Sequence, residues 1–328
     1  MSELPAPAPV EAEAASLAGA GRVKRLLRPV MNLAAVVFVV LAGYDMARRW
    51  DETKVDIRVG ATLLSCLPLL LSCVVQGIAW ILLVERMSGR RVPKLPALSV
   101  YLASQLARYT PGKVGLPIVR MDGAPRLGLA RGLVGASVFV EALSWIATGG
   151  ILGFSLLALG RPKEGLGGFV GQLSTPFLVL SLLGGAVLLG VDRARYPAFL
   201  RKLLAPEGTG PLVPFRLPLV QLVYWSLSAL HGYLLTLALG VEPRAALSVL
   251  GFFVIAPVAG FVVLAAPAGL GVREAMLLAG LGPILGSAAA LGAAAISRAV
   301  SLVAEISMWL VFRVLARRAE RAQSSEFR

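Results

Sequence analysis

Cationic side chains stand beside helix-breaking residues at two places in this chain. The first is Arg108-Tyr109-Thr110-Pro111-Gly112-Lys113-Val114-Gly115, continuing to Arg120. The second is Ala266-Pro267-Ala268-Gly269-Leu270-Gly271-Val272-Arg273-Glu274. Arg presents a planar fork matched to phosphate and Lys a point charge. Gly112 and Gly115 let backbone amides approach an anion closely. Arg108, Lys113 and Arg120 thus suit an anion-binding cluster. A plainer role is open to each of them, snorkelling to a membrane interface. In the second segment, Glu274 suits the positive end of a helix dipole at a helix start. Arg273 gains nothing from that dipole, so its presence asks for another cause.

Further charges lie within apolar sequence. Glu141 sits in SVFVEALSW, and Arg298 and Glu305 sit in AISRAVSLVAE, seven apart and so on one helical face. A lone charge at the bilayer centre costs about 2.5–3.5 kcal/mol on insertion scales. The expectation is that Glu141 and Arg298 pair across two halves of the molecule, as a register-fixing contact or as a pair in which one partner is exchanged for a headgroup or a proton. His231 is the only histidine. With Tyr224 seven positions earlier it could form a proton relay, although a hydrogen-bonded packing histidine is the expectation. No metal site is expected, and no multi-histidine site can be built. Cys66 and Cys73 are about 10 Å apart on one helix, too far for a disulfide.

The elements that must position these residues are membrane helices. Of the 328 residues 57% are hydrophobic and only 15% charged, against about 25% charged in soluble domains. The mean hydropathy is +0.79. The net charge of +14 does not indicate nucleic acid, because Lys and Arg cluster at the ends of apolar segments, where the positive-inside rule puts them. A span needs about 20 apolar residues. Six stretches qualify, roughly 30–47, 59–84, 133–159, 168–191, 217–240 and 288–312. Two more, about 96–119 and 246–285, contain the Pro/Gly breaks and are expected to be re-entrant hairpins. Broken backbone at membrane depth is tolerated only inside protein or beside a water-filled cavity.

Residues 1–28 are expected to be a disordered cytoplasmic N-terminus, 29–314 a single transmembrane domain, and 315–328 a basic cytoplasmic tail. Both termini face the cytoplasm on the distribution of Lys and Arg. The loop 48–58 fits badly, since it should be external yet holds Arg48, Arg49, Lys54 and Arg58. Span–hairpin–span then occurs twice with opposite orientation, an inverted repeat with discontinuous helices, which is a transporter arrangement. The fold expected is therefore an all-α polytopic membrane protein with six transmembrane helices and two re-entrant helical hairpins in inverted repeats.

No nucleophile elbow, Walker loop, dinucleotide fingerprint or zinc motif occurs, and Lys113 is followed by Val114 rather than Ser or Thr. No enzymatic activity and no cofactor are expected. The segments ARYTPGKVG with Arg120, and PAGLGVREAML with ISRAVSLVAEI, resemble the lysylphosphatidylglycerol synthetase transmembrane-domain family over about 59–313. That family includes the flippase half of the bacterial multiple peptide resistance factor. The Arg-Tyr-x-Pro-Gly element is also similar, more distantly, to the loop of DedA-type lipid scramblases. The resemblance implies movement of aminoacylated or other anionic-headgroup phospholipids between leaflets of a bacterial plasma membrane, without the soluble aminoacyl-transfer domain.

Membrane phospholipids are the expected partners, nucleic acid is not, and a homo-oligomer is compatible with the pattern. The residues expected to receive or pass a headgroup are Arg108, Tyr109, Pro111, Gly112, Lys113, Gly115, Arg120, Glu141, Pro267, Gly269, Gly271, Arg273, Glu274, Arg298 and Glu305. Two alternatives stay open: a proton-coupled carrier of a small solute with Glu141, Glu274 or Glu305 titrating, and a non-transporting membrane partner of an enzyme.

Overall fold

The computed structural model describes residues 58–110, 113–162, 165–190, 192, 211–239, 245–263 and 269–326. The expected first span at 30–47, the N-terminal segment 1–28, and Pro111, Gly112 and Pro267 lie outside the described residues. The described chain is helical: α1 Val59–Ser88, α2 Lys94–Ala107, α3 Gly115–Gly123, a 3₁₀ turn Ala124–Leu127, α4 Arg131–Gly160, α5 Gly165–Gly190, α6 Arg216–Ala238, α7 Ala246–Val262, α8 Val272–Leu285 and α9 Ser287–Glu326. Among the described residues β structure is limited to one isolated bridge, Asp192 with Pro211.

Among the described residues four helices are long and apolar enough to cross a membrane: those over Val59–Ser88, Arg131–Gly160, Gly168–Gly190 and Ser287–Ala322. The stretch expected at 217–240 forms the 23-residue α6 but is not among these four. Gln221, Tyr224, Ser226, Ser228 and His231 dilute its apolar character, and Gln221 and His231 are buried. The last helix runs on through the expected tail to Glu326.

Local signals explain the ends. Gly89, in the left-handed region at φ 67°, closes α1 by donating its N–H to Glu85 O. Pro93 starts α2, since a proline before the first turn sacrifices no helical hydrogen bond. The two interrupted stretches break where the Pro/Gly segments stand, at 108–114 and 263–271. The resulting pieces are 14, 9, 17 and 14 residues long. At about 1.5 Å per residue none reaches the roughly 30 Å of a hydrocarbon core.

The packing pattern of the two halves corresponds element by element. In the first half α1 packs on α2, α2 on α3 and α3 on α4; in the second α6 packs on α7, α7 on α8 and α8 on α9. Across the halves α1 meets α6, α4 meets both α6 and α7, and α9 meets both α1 and α2. Each cross-contact therefore has its counterpart with the halves exchanged. Helix α5 stands apart from this pattern, against α4 and α8, with most of its apolar side chains exposed.

Small residues make the close approaches. Phe253 of α7 fills the notch at Gly232 of α6, and Phe252 fills that at Gly280 of α8. A close backbone contact joins the two ends of the second break: a Cβ on Gly269 would lie 2.7 Å from Gly260 Cα, and Gly269 also has φ +71°. Both constraints demand glycine there. Gly269→Ala is expected to destabilise the fold by about 1–3 kcal/mol, read as a lower apparent thermal midpoint in detergent. Gly184→Ala, with open space around it, is expected to leave the midpoint unchanged or raise it.

Candidate functional site

The two breaks meet. Lys113 occupies the left-handed region at φ 57°, which is costly for a side chain with a Cβ. That conformation accompanies a side chain directed onto the end of α7, where the ammonium donates to the carbonyls of Gly260 (3.0 Å), Phe261 (2.6 Å) and Val263 (3.2 Å). These belong to the terminal carbonyls that a helix leaves without internal partners. The positive charge also suits the negative end of the α7 dipole. The Phe261 ring lies 4.8 Å from the same ammonium. The turn itself is held by Thr110, whose hydroxyl donates to Ala107 O and accepts from Gly115 N–H. A Cβ on Gly115 would come within 2.6 Å of Ala107 O.

Beside this junction a cavity of ≈ 140 Å³ opens inside the helical bundle, with room for several waters. Arg108, Lys113, Arg120, Arg273 and Arg298 line it, with the carboxylates Glu141 and Glu305. Its remaining wall carries Gln76, Tyr101, Trp145, Tyr224 and Phe261 among apolar side chains. Trp145 packs at a tilt against Tyr224, Trp225 and Phe261, with centroids 6.2, 4.4 and 5.2 Å away.

Each cation is held differently. Arg120, 1% exposed, pairs with Glu141 and donates from Nε to Ser104 Oγ at 2.8 Å. Its guanidinium lies 5.0 Å from the Trp80 ring and 4.5 Å from that of Tyr101. Glu141 also accepts from Gln76 Nε2 at 3.1 Å. Arg108 pairs with Glu305 and bonds Gln105. Arg298 Nε lies 3.2 Å from Glu274 Oε1, while Glu274 Oε2 accepts from Gly271 N–H at 2.8 Å, capping α8. The buried Tyr109 ring stands 5.5 Å from Arg108 and 6.0 Å from Arg298.

Arg273 has a neutral partner. Its Nη2 donates to Ser297 Oγ at 2.7 Å, and Ser297 Oγ lies 3.1 Å from His231 Nε2. His231 Nδ1 is 2.8 Å from the carbonyl of Ser65. A carbonyl only accepts, so Nδ1 carries the proton and donates, and Nε2 accepts from Ser297. The chain Arg273–Ser297–His231–Ser65 thereby ties α8, α9, α6 and α1 together. Pro68, one turn further along α1, withdraws the bond that the Leu64 carbonyl would receive and loosens the ladder next to Ser65.

This geometry corrects one expectation, the pairing of Glu141 with Arg298, and agrees with the reading of His231 and of the two cysteines. Glu141 does not meet Arg298 across the halves. Glu141 pairs with Arg120 within the first half, Arg298 pairs with Glu274 within the second, and Arg108 pairs with Glu305 across the halves. The physical reason is proximity along the chain: α3 packs on α4, which puts Arg120 beside Glu141. Lys113 and Arg120 are buried rather than snorkelling. His231 bonds Ser65 and Ser297 rather than Tyr224, so it is a packing histidine. Cys66 and Cys73 are both free.

Of the residues singled out from the sequence, the cavity brings together Arg108, Lys113, Arg120, Glu141, Arg273, Arg298 and Glu305. Tyr109, Glu274, Gly115, Gly269 and Gly271 stand behind them as supports. Sequence reasoning missed Gln76, Ser104 and Ser297. Ser297 adjoins Arg298 and lies one turn before Ser301, a hint of a polar face; neither Gln76 nor Ser104 carries a comparable signal.

Breaking a buried ion pair by removing one partner costs about 3–5 kcal/mol. Glu141→Ala is therefore expected to lower the thermal midpoint in detergent far more than Glu274→Ala, whose side chain is 26% exposed. The exchange Arg120→Glu with Glu141→Arg is expected to recover part of the loss.

No curated protein matches the chain. A family model does, over residues 26–306, described as the lysylphosphatidylglycerol synthase TM region. With a matching membrane-domain model over most of its length and four helices able to cross a bilayer, this multi-pass helical membrane protein belongs to the lysylphosphatidylglycerol synthase transmembrane-region family.

Proposed function

We propose that this protein moves phospholipid between the two leaflets of a membrane, receiving the anionic headgroup in the cavity while the acyl tails stay in the bilayer. The observation that carries this reading is the cavity itself: five cationic side chains gathered inside a bundle of apolar helices, at the junction of two broken helix pairs. Cations lower the cost of taking a phosphate through hydrocarbon. The exposed apolar surfaces of α1, α4, α5 and α9 suit contact with lipid tails. Family membership supports a lipid as the cargo.

In this reading α2–α3 and α7–α8 are re-entrant hairpins, their four helices being too short to span. The exchangeable packing pattern is that of an inverted repeat. Of the described helices, α1, α4, α5, α6 and α9 cross the bilayer in this reading. The membrane is the bacterial plasma membrane with both termini cytoplasmic, as the placement of Lys and Arg favours. The Arg108–Glu305 pair, an ionic contact between the halves, is the contact that a passing headgroup would exchange.

Purified protein reconstituted into liposomes with headgroup-labelled phospholipids is expected to speed leaflet equilibration well above that of protein-free vesicles. Glu305→Gln is expected to change that rate by about tenfold or more, since one charge-assisted bond differs by roughly 1.5–3 kcal/mol. Leaflet asymmetry left untouched for every phospholipid tried overturns the proposal.

A further inference from the structure

The partners of the cavity cations are unequal, and that inequality bears on which headgroup fits. Arg108, Arg120 and Arg298 each face a carboxylate: Glu305, Glu141 and Glu274. Lys113 and Arg273 have no carboxylate partner among the described residues. Lys113 is held by three backbone carbonyls, and the negative end of the α7 dipole offsets about half of its charge. Arg273 is held by the Ser297 hydroxyl, and its Nε is buried with no partner among the described residues. Both side chains border the same residue, Gly260: the Lys113 ammonium on its carbonyl, and Arg273 Cβ 3.5 Å from where a Cβ on Gly260 would stand. The lining of the cavity therefore keeps more than one positive charge without a carboxylate partner among the described residues.

We infer that Lys113 and Arg273, flanking Gly260, form a seat for a doubly charged phosphate, so that the preferred ligand class is a phosphomonoester headgroup rather than a phosphodiester. This deepens the lipid reading above and rests on it. A phosphodiester brings one negative charge and leaves part of the excess in place. A phosphomonoester brings nearly two above its second ionisation near pH 6. The Arg273 guanidinium supplies donors to its terminal oxygens, and Lys113, whose three N–H groups are taken by the α7 carbonyls, supplies charge alone. A headgroup carrying an additional ammonium would add to the excess and is disfavoured.

The test is binding to the purified full-length chain in detergent at about pH 8, two units above that second ionisation. The probes are dioctanoyl phosphatidate, dioctanoyl phosphatidylmethanol and glycerol 3-phosphate. Phosphatidate is expected to bind about tenfold tighter than phosphatidylmethanol. Arg273→Gln is expected to abolish that preference and Arg273→Lys to retain it. Lys113→Gln is expected to weaken it, and because this change also removes the cap on α7, Arg273→Gln carries the test should Lys113→Gln fail to fold. Equal affinities, or a preference unchanged in Arg273→Gln, overturn the seat. Glycerol 3-phosphate binding as tightly as phosphatidate would uphold the seat for a dianion and overturn a lipid as its source, and the translocation reading with it. A preserved phosphatidate preference in a protein that equilibrates no lipid in liposomes would overturn translocation alone.

Discussion

The organisation of the site depends on one constraint: the three carbonyls at the end of α7 need donors, and the ammonium of Lys113 supplies them. Backbone polar groups left unsatisfied in an apolar setting cost several kcal/mol each, so the end of a helix inside a membrane protein must be closed by something. Here the partner comes from the other half of the molecule, on a residue bent into the left-handed region to reach it. The same contact settles where the first break sits relative to the second. Fixing it places Arg108 opposite Glu305 and brings Arg273, Arg298 and Lys113 to one cavity.

Around that junction, charge is distributed with an evident economy of burial. The most buried cation, Arg120, is saturated by Glu141, Ser104 and two aromatic faces, an arrangement that stabilises α3 against α4 and leaves little capacity for a ligand. Glu274 serves two ends at once, capping α8 and facing Arg298. The neutral chain from Arg273 to Ser65 holds a guanidinium in place without cancelling its charge. Structural and ligand-directed roles, which residue type cannot separate, are thus separated by partner.

Helix architecture follows from the same logic of satisfied backbone. The short broken helices pack on the long ones, α2 on α1 and α9, α3 on α4, α7 on α4 and α6, and α8 on α9. Small residues permit this: Gly260 against Gly269, and the notches at Gly232 and Gly280 that receive Phe253 and Phe252. In the membrane interior, where apolar surface gains little by leaving lipid, such close van der Waals contact is a principal source of helix association.

The sequence by itself determined that the chain is helical and membrane-embedded, because apolar length and the placement of Lys and Arg are one-dimensional properties. It also located both breaks to within a few residues, because Pro and Gly disrupt helices wherever they stand. The family could be recognised from the residues around those breaks for the same reason. Pairing was not legible. Glu141 and Arg298 each announce a buried charge, yet which carboxylate meets which guanidinium depends on how α3 rests on α4 and α9 on α2, and spacing along the chain does not encode it. Nor could it be foreseen that Lys113 would close α7 or that Ser297 and His231 would hold Arg273. Those contacts join residues 24 to 166 positions apart, and only the folded bundle brings their atoms within hydrogen-bonding distance.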